Sequence, residues 1–488
     1  MDRVDLAVIG GGITGVGIAR LAARNGLSVA LFERADLASG ASSATSHMLH
    51  GGLRYLEHGQ FALVRESLAE RTAVSRMAPG LARPRRFLMP FYRGDRRPGW
   101  MVRTGLWLYD SLAGGRGLEP HQSFGAAAAL ALEPDLEPEG LLGGAIYGDV
   151  VMDDARITVS VAMDAAAHGA AIHSHTEVTG ARPGAEGGIE LIVRDALEGG
   201  ERSALARYVV IACGAWSDSV RTRLLRALEP GRPDPARLLR PTRGVHLVFP
   251  ALTRGHGITA FAPRDGRVVF VVPFGEWSIV GTTETEVVSS ESPDAWSPSL
   301  EEVRYLREAL ARLLPSQARR PALALMAGVR PLAASDGTLA AASREHRVTE
   351  DGDLFTIVGG KYTGFRPMAH DIVARVMARL HRSARIDDPA TPLPPWLAAE
   401  AGAEALAAFA VERAFARRLE DVVRRRSLLW LAPDGGRIAA PLLAEALGRR
   451  LGWDATRTRE ELRAFHARLD DDERLLHEAY EDHAPRPA

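Results

Sequence analysis

Val4-Asp5-Leu6-Ala7-Val8-Ile9-Gly10-Gly11-Gly12-Ile13-Thr14-Gly15 is the stretch on which the reading of the fold turns. Residues 4–9 form a short, mostly apolar run, as a strand buried in a parallel sheet requires. Beyond the glycines, Val16, Ile18, Ala19, Ala22 and Ala23 recur at helical spacing until Asn25-Gly26 stops the helix. A second apolar strand, residues 27–32, ends on Glu33. The whole is a dinucleotide fingerprint: Gly10 makes the tight turn, Gly12 lets the backbone approach a pyrophosphate, Gly15 permits close helix packing, and Glu33 meets ribose hydroxyls. Thr14 and Arg34 flank these positions and belong to the same expected site.

The chain has 488 residues, enough for about three domains, and its 46% hydrophobic and 25% charged content suits a globular protein with a large core. A formal net charge of -1 gives no overall field toward nucleic acid, and no nucleic-acid partner is expected. Met1-Asp2-Arg3 leads straight into the first strand, and no apolar run approaches the roughly 18 residues of a spanning helix. The expectation is a cytoplasmic protein, with peripheral attachment to a membrane surface left open. A single cysteine, Cys213, excludes an internal disulfide and a cysteine-rich metal site, and no metal is expected. Of 60 basic residues only Lys361 is a lysine. Arginine has replaced lysine everywhere else, which marks Lys361 as a place where a compact ammonium is needed.

Along the chain, the small and hydroxyl residues from Asp36 to Ser46 can pass close to a bulky ligand, with Ser42 and Ser43 offering hydrogen bonds. His50-Gly51-Gly52-Leu53-Arg54-Tyr55 then sets a general-base candidate, a cation and a polar aromatic beside two glycines. Residues 61–78 read as an amphipathic helix covering the sheet. The arginine-rich stretch that follows carries Trp100, Met101, Trp107 and Tyr109, a pattern that fits either core packing with a solvated basic face or a membrane interface. Asp153 is the expected N-cap of another helix. Residues 173–178 are expected to form the next sheet strand, and 184–202 a hairpin outside the sheet.

Residues 208–214 read as a second buried strand, whose end brings Ala212, Gly214 and Trp216 to the cofactor, with Val178 nearby. Cys213 there is packing material, since no base adjoins it in sequence. From Arg240 onward, strands at 245–249, 267–273 and 278–283 suggest an inserted antiparallel sheet that walls a substrate pocket, with His246 on one of its faces. Residues 300–314 have helical periodicity. A last strand, 354–358, leads into Gly359-Gly360-Lys361 and a helix from about Phe365, whose N-terminus favours an anion such as a reduced flavin ring. A proline-rich linker at 391–396 precedes an all-helical tail, in which Arg424-Arg425-Arg426 reads as a solvated face or a partner surface.

Ile9 to Gly15, Ser42-Ser43, His50 to Glu57, Asp153 to Arg156, Gly281-Thr282-Thr283, Gly328 to Leu332, Ser343-Arg344 and Gly359-Gly360-Lys361 together resemble the FAD-dependent glycerol-3-phosphate dehydrogenases. These are flavoproteins of the D-amino-acid-oxidase-like class, and the resemblance runs almost end to end. It implies an α/β fold: a Rossmann-like FAD-binding domain (1–92, 150–240 and 320–388), an inserted antiparallel substrate domain (93–149 and 241–319) and an all-α C-terminal domain (397–488). It also implies oxidation of glycerol 3-phosphate to dihydroxyacetone phosphate, with electrons leaving through FAD to a membrane quinone. A homodimer is compatible with it.

Arg54, Arg330 and Arg344 are then the expected phosphate ligands. His50 is the first candidate for the base that takes the hydroxyl proton and His246 the second, while Lys361 and Tyr55 polarise or hold the substrate oxygen. Gly51, Gly52, Gly359 and Gly360 are expected at the flavin. Some positions depart from the family pattern: His47 replaces a usual lysine, Gly364 a threonine, Glu284 an aspartate and Cys213 a threonine. A related phosphorylated polyol therefore stays open as substrate. Rival readings are a soluble oxidase that uses oxygen, a flavin-dependent RNA-modifying enzyme, which would want a basic surface, and a non-catalytic binding protein that keeps a dinucleotide as structure.

Overall fold

A computed structural model describes the chain except residues 1–2, 116–117, 186, 263, 289–295, 335–344, 386–390, 399–400 and 482–488, and the side chains of Arg54, His58 and Glu481. The fingerprint strand Val4–Ile9 lies at the centre of the first sheet, parallel to Val29–Phe32 on one side and Glu201–Ile211 on the other. Leu354–Gly359 and Ala171–His173 extend this parallel core outward. Its strands are apolar on both faces because helices Ile13–Arg24, Asp154–Ala167 and Phe365–Arg379 bury one side and Ser217–Leu228 packs on the other. Asp153 caps its helix as expected, its side chain accepting from the Arg156 amide.

Two expectations for this region change. The run 173–178 is broken by a turn into Ala171–His173, which pairs with Val29–Phe32, and Thr176–Pro183, which does not. The stretch after Gly184 does not lie outside the sheet. Ile189–Asp195 pairs with the first half of the long strand Glu201–Ile211, so the hairpin extends the sheet antiparallel.

A second, largely antiparallel sheet, of ten strands among the described residues, is built on Thr242–Pro250, Val268–Phe274 and Trp277–Gly281, near the positions that the alternation predicts. Three of its strands, Met48–Leu49, Ala82–Tyr92 and Ala324–Arg330, come from segments that the sequence assigns to the nucleotide-binding part. An apolar run identifies a buried strand but not the sheet it joins, which long-range pairing decides.

Side-chain parity sorts the second sheet. Val245, Leu247 and Phe249 face helix Leu300–Leu313, while Val248 faces the other way with Met326, onto a core shared with the helical tail. His246 shares the parity of Val248 and Met326, so the pleat turns it away from the helix. The tail, from Ala403–Glu412 through Ala455–Glu481, packs across this face, with Ala407, Val422, Leu443 and Phe465 buried against the sheet.

Candidate active site

The carboxyl ends of the parallel strands open into a cavity of about 2290 Å³, larger than the roughly 300–1,000 Å³ of ordinary small-molecule pockets. One end is the fingerprint turn. A Cβ on Gly10 would stand 2.5 Å from the Ala212 carbonyl oxygen, and one on Gly15 would stand 1.9 Å from that of Gly10, so both glycines are required by close backbone contact. At Gly12 the nearest atom to such a Cβ is the Ser42 hydroxyl at 3.2 Å, and Gly12 and Thr14 line the cavity while Gly15 lies behind it. The helix has no side-chain cap on Gly12, and the amide of Ile13 donates to Ser42 Oγ at 2.9 Å.

Glu33 lies at the same end, accepting from the amides of Gly11 at 2.6 Å and Ala35 at 2.9 Å. Burial pushes its carboxyl above the ordinary range, and these amides pull it back. Arg34 places its guanidinium 4.2 Å over the Trp216 ring, which is stacked at 4.1 Å on Trp296. Val178, Ala212, Gly214 and Ser43 also line this half. Cys213 is packing material here: burial raises its thiol to about 12, and its Sγ donates to the Ile9 carbonyl. The open turn at Gly12, the acid beyond the second strand and the flat aromatic stack suit the pyrophosphate, ribose and adenine of an FAD.

His50, Gly52, Tyr55, His246, Arg330, Gly359, Gly360 and Lys361 line the same cavity. Gly52 has φ +81°, and a Cβ there would sit 2.3 Å from the Tyr55 ring, so only glycine lets the short helical turn Leu53–His58 fold back on it. Lys361 sets its Nζ 3.8 Å from the centroid of the Tyr55 ring and donates to Ser67 Oγ at 3.2 Å. The ammonium is thus fixed over a buried aromatic face. Gly51 does not reach the cavity: it packs behind the wall, where its amide donates to Tyr109 Oη at 2.9 Å. Tyr109 in turn meets Asp149, which pairs with Arg71 at 3.2 Å. Burial raises the Asp149 carboxyl to about 6, against the pull of Arg71.

Arg330 and His246 come to one wall through strand register. His246 lies opposite Met326 and Gly281, Gly244 opposite Gly328, and Thr242 opposite Arg330. The glycines between them clear the floor: a Cβ on Gly244 would fall 2.0 Å from Arg330 Nη2. Thr282 Oγ1 accepts from Arg330 Nη2 at 2.6 Å and the Thr283 carbonyl from Nη1 at 3.2 Å, which fixes the guanidinium plane. His246 is 1% exposed, with Nε2 2.9 Å from Ser46 Oγ and a buried Nδ1. The Arg54 side chain and the whole of Arg344 lie outside the described residues. Ser67 is missed by the sequence, and Ser46, Thr282 and Tyr109 are singled out there without the holding roles they have here, because a hydroxyl's partner lies far away in the chain. His47, noted for its departure from lysine, is buried with Nδ1 3.1 Å from the Met152 carbonyl.

Burial, with Arg330 and His47 nearby, drives the His246 pKa well below its ordinary value of about 6.5. The folded protein thus resists protonating a ring that the unfolded chain protonates freely. This contribution to stability is complete above about pH 6.5 and is lost as the pH falls below it, at up to about 1.4 kcal/mol per pH unit. The thermal midpoint, scanned from pH 8 to pH 5, is expected to fall less steeply in His246→Gln than in the wild type. Parallel curves would show that this ring does not contribute.

Comparison with known proteins places the chain among flavoproteins. The FAD dependent oxidoreductase (DAO) family model matches residues 5–380. Glycerol-3-phosphate dehydrogenase 2 of Mycobacterium tuberculosis is 37% identical over 378 residues, 76% of this chain but 63% of that protein. The chain therefore spans less than two thirds of the mycobacterial relative's length. Glycerol-3-phosphate dehydrogenase of Pseudomonas aeruginosa is 33% identical over 442 residues, covering 89% of this chain and 82% of the relative. In fold, the chain is similar to the glycerol-3-phosphate dehydrogenase of Bacillus halodurans solved with FAD, at TM-score 0.74 and 23% identity, covering 97% of this chain and 95% of that one. With a glycine turn of the dinucleotide-binding pattern and a matched model over most of its length, the chain belongs to the family of FAD-dependent oxidoreductases, and FAD is its cofactor.

Proposed function

We propose that the protein oxidises the secondary alcohol of glycerol 3-phosphate to dihydroxyacetone phosphate and passes the electrons to a membrane quinone. The observation that carries this reading is that His50, Arg330 and Lys361 line the same cavity as the fingerprint turn. Relatives named glycerol-3-phosphate dehydrogenase support it. FAD, when bound, supplies the hydride acceptor.

The residues divide the remaining work. Arg330, its plane set by Thr282 and Thr283, binds the phosphate, with Arg54 and Arg344 completing the expected cationic set. Lys361 directs its ammonium at the substrate oxygen and lowers the cost of charge on it. His50, half-buried on the cavity wall, takes the hydroxyl proton on its imidazole. His246 is the weaker candidate for the base, since its Nδ1 is sealed and its Nε2 is engaged by Ser46. Its burial keeps it neutral beside Arg330.

Helix Gly99–Ala113 favours an apolar acceptor. It buries Val102, Leu106 and Tyr109 and exposes Trp100 and Trp107, each 63% accessible, with Met101 and Arg103. Trp100 and Met101 also line the cavity, so an aromatic and basic surface suited to a membrane interface borders its mouth. Among the described residues no helix is long and apolar enough to cross a membrane. Anaerobic addition of glycerol 3-phosphate is expected to bleach the flavin absorbance, and a soluble quinone to restore it. Failure to bleach would refute the substrate, while stoichiometric peroxide formed in air, with no response to quinone, would refute the acceptor.

A further inference from the structure

Arg424-Arg425-Arg426 is not the solvated face that its sequence suggests. Arg425 and Arg426 are buried, and both guanidiniums bind the carboxylate of Asp36, which is 1% exposed: Arg426 Nη2 donates to Oδ1 at 2.7 Å, while Arg425 Nε and Arg426 Nη1 share Oδ2. Asp421 joins them, accepting from Arg425 Nη2 at 3.1 Å and lying 2.9 Å from His175 Nε2. Asp36, His175 and Asp421 lie close enough to hold a cation, but the two guanidiniums already occupy and balance the two carboxylates.

Asp36 lies three residues beyond Glu33. Its loop is tied to the fingerprint by the Ala38 amide, which donates to the Gly11 carbonyl at 3.0 Å, and to the neighbouring strand by the His175 amide, which donates to the Ala35 carbonyl at 2.7 Å. Asp36 and Arg425 also line the same cavity as Glu33 and Arg34. The family model ends at residue 380, so these arginines come from a part of the chain outside the matched flavin-binding unit.

We propose that the C-terminal helical region completes the cofactor site, with Arg425 and Arg426 as positioning residues that hold the Glu33–Asp36 loop in the conformation that receives the nucleotide half of FAD. Arg425 bridges Asp36 and Asp421, so without it two buried carboxylates are left to share the Arg426 guanidinium, beside a ligand that carries a pyrophosphate. Burying such charge incompletely paired is costly, so the loop would move to solvate it and carry Glu33 away from the turn. Nothing in this arrangement depends on which alcohol is oxidised.

Two measurements test it. FAD titration of the apoprotein, followed by quenching of flavin fluorescence, is expected to give at least a tenfold higher dissociation constant for Arg425→Gln. Arg417→Gln, which removes the tail's ion pair to Asp195 at 2.6 Å and leaves Asp36 untouched, is expected to bind as the wild type does. A general loosening of the tail would weaken both variants alike and would overturn the proposal, as would unchanged affinity in folded Arg425→Gln. If that variant does not fold, hydrogen exchange of the wild-type protein decides. Because coupling between sites is reciprocal, adding FAD is expected to slow exchange over residues 417–427 as well as over the fingerprint loop. Protection of the loop alone would overturn the proposal.

Discussion

Replacement of His50 by glutamine is expected to lower the rate of flavin reduction by glycerol 3-phosphate by about 100- to 10,000-fold, the usual worth of a positioned general base. Glutamine keeps the size and hydrogen-bonding capacity of the side chain but cannot take a proton at neutral pH. Substrate affinity should therefore change little. His50 is followed directly by Gly51, whose amide is anchored through Tyr109 and Asp149 to Arg71, so the backbone that carries the imidazole is held by a buried network and should survive the change. His246→Gln is expected to cost less than tenfold in the same step, because His246 acts by remaining neutral beside Arg330 rather than by taking a proton. Stopped-flow reduction under anaerobic conditions separates the two. If His246→Gln loses the larger factor the roles are reversed, and if neither variant slows reduction the proton leaves by another route.

Arg330→Met is expected to weaken glycerol 3-phosphate binding by roughly 100-fold, from two charge-assisted hydrogen bonds to a phosphate at about 1.5 kcal/mol each. The rate at saturating substrate should fall much less, since the guanidinium grips a part of the molecule that does not react. Arg330→Lys should recover little of this loss. Thr282 and Thr283 hold a planar fork in one orientation, and an ammonium offers neither the fork nor the reach. The dependence of the flavin reduction rate on substrate concentration gives both quantities. An unchanged half-saturation point in Arg330→Met would remove this residue from the phosphate site and leave Arg54 and Arg344 to supply it.

Much of the architecture follows from short-range pattern. The strand at residues 4–9 and the helix ending at Asn25 are legible because hydrophobic period, glycine spacing and a stop signal coincide over thirty residues. Asp153 as a cap and the strands around 245, 270 and 279 are legible for the same reason, each being set by its own neighbours. The broken run at 173–178 and the sheet membership of Ala82–Tyr92 and Ala324–Arg330 are not, since pairing between distant strands decides them.

The site divides in the same way. That His50, Arg330 and Lys361 bear chemistry can be read from residue type and motif, and Lys361 from its being the only lysine of the chain. Which of them share a wall cannot. Strand parity turns His246 away from helix Leu300–Leu313, and a register that sets Gly244 against Gly328 opens the space that Arg330 fills. The arginine triplet is the clearest case. By itself the sequence determined that a dinucleotide turn, an inserted sheet and a helical tail are present, because each is encoded in local periodicity and turn chemistry. Only the tertiary structure decided that Arg425 and Arg426 are buried on Asp36, nearly four hundred residues away, because the partner that makes a buried charge tolerable is supplied by folding and leaves no mark in the residues beside it.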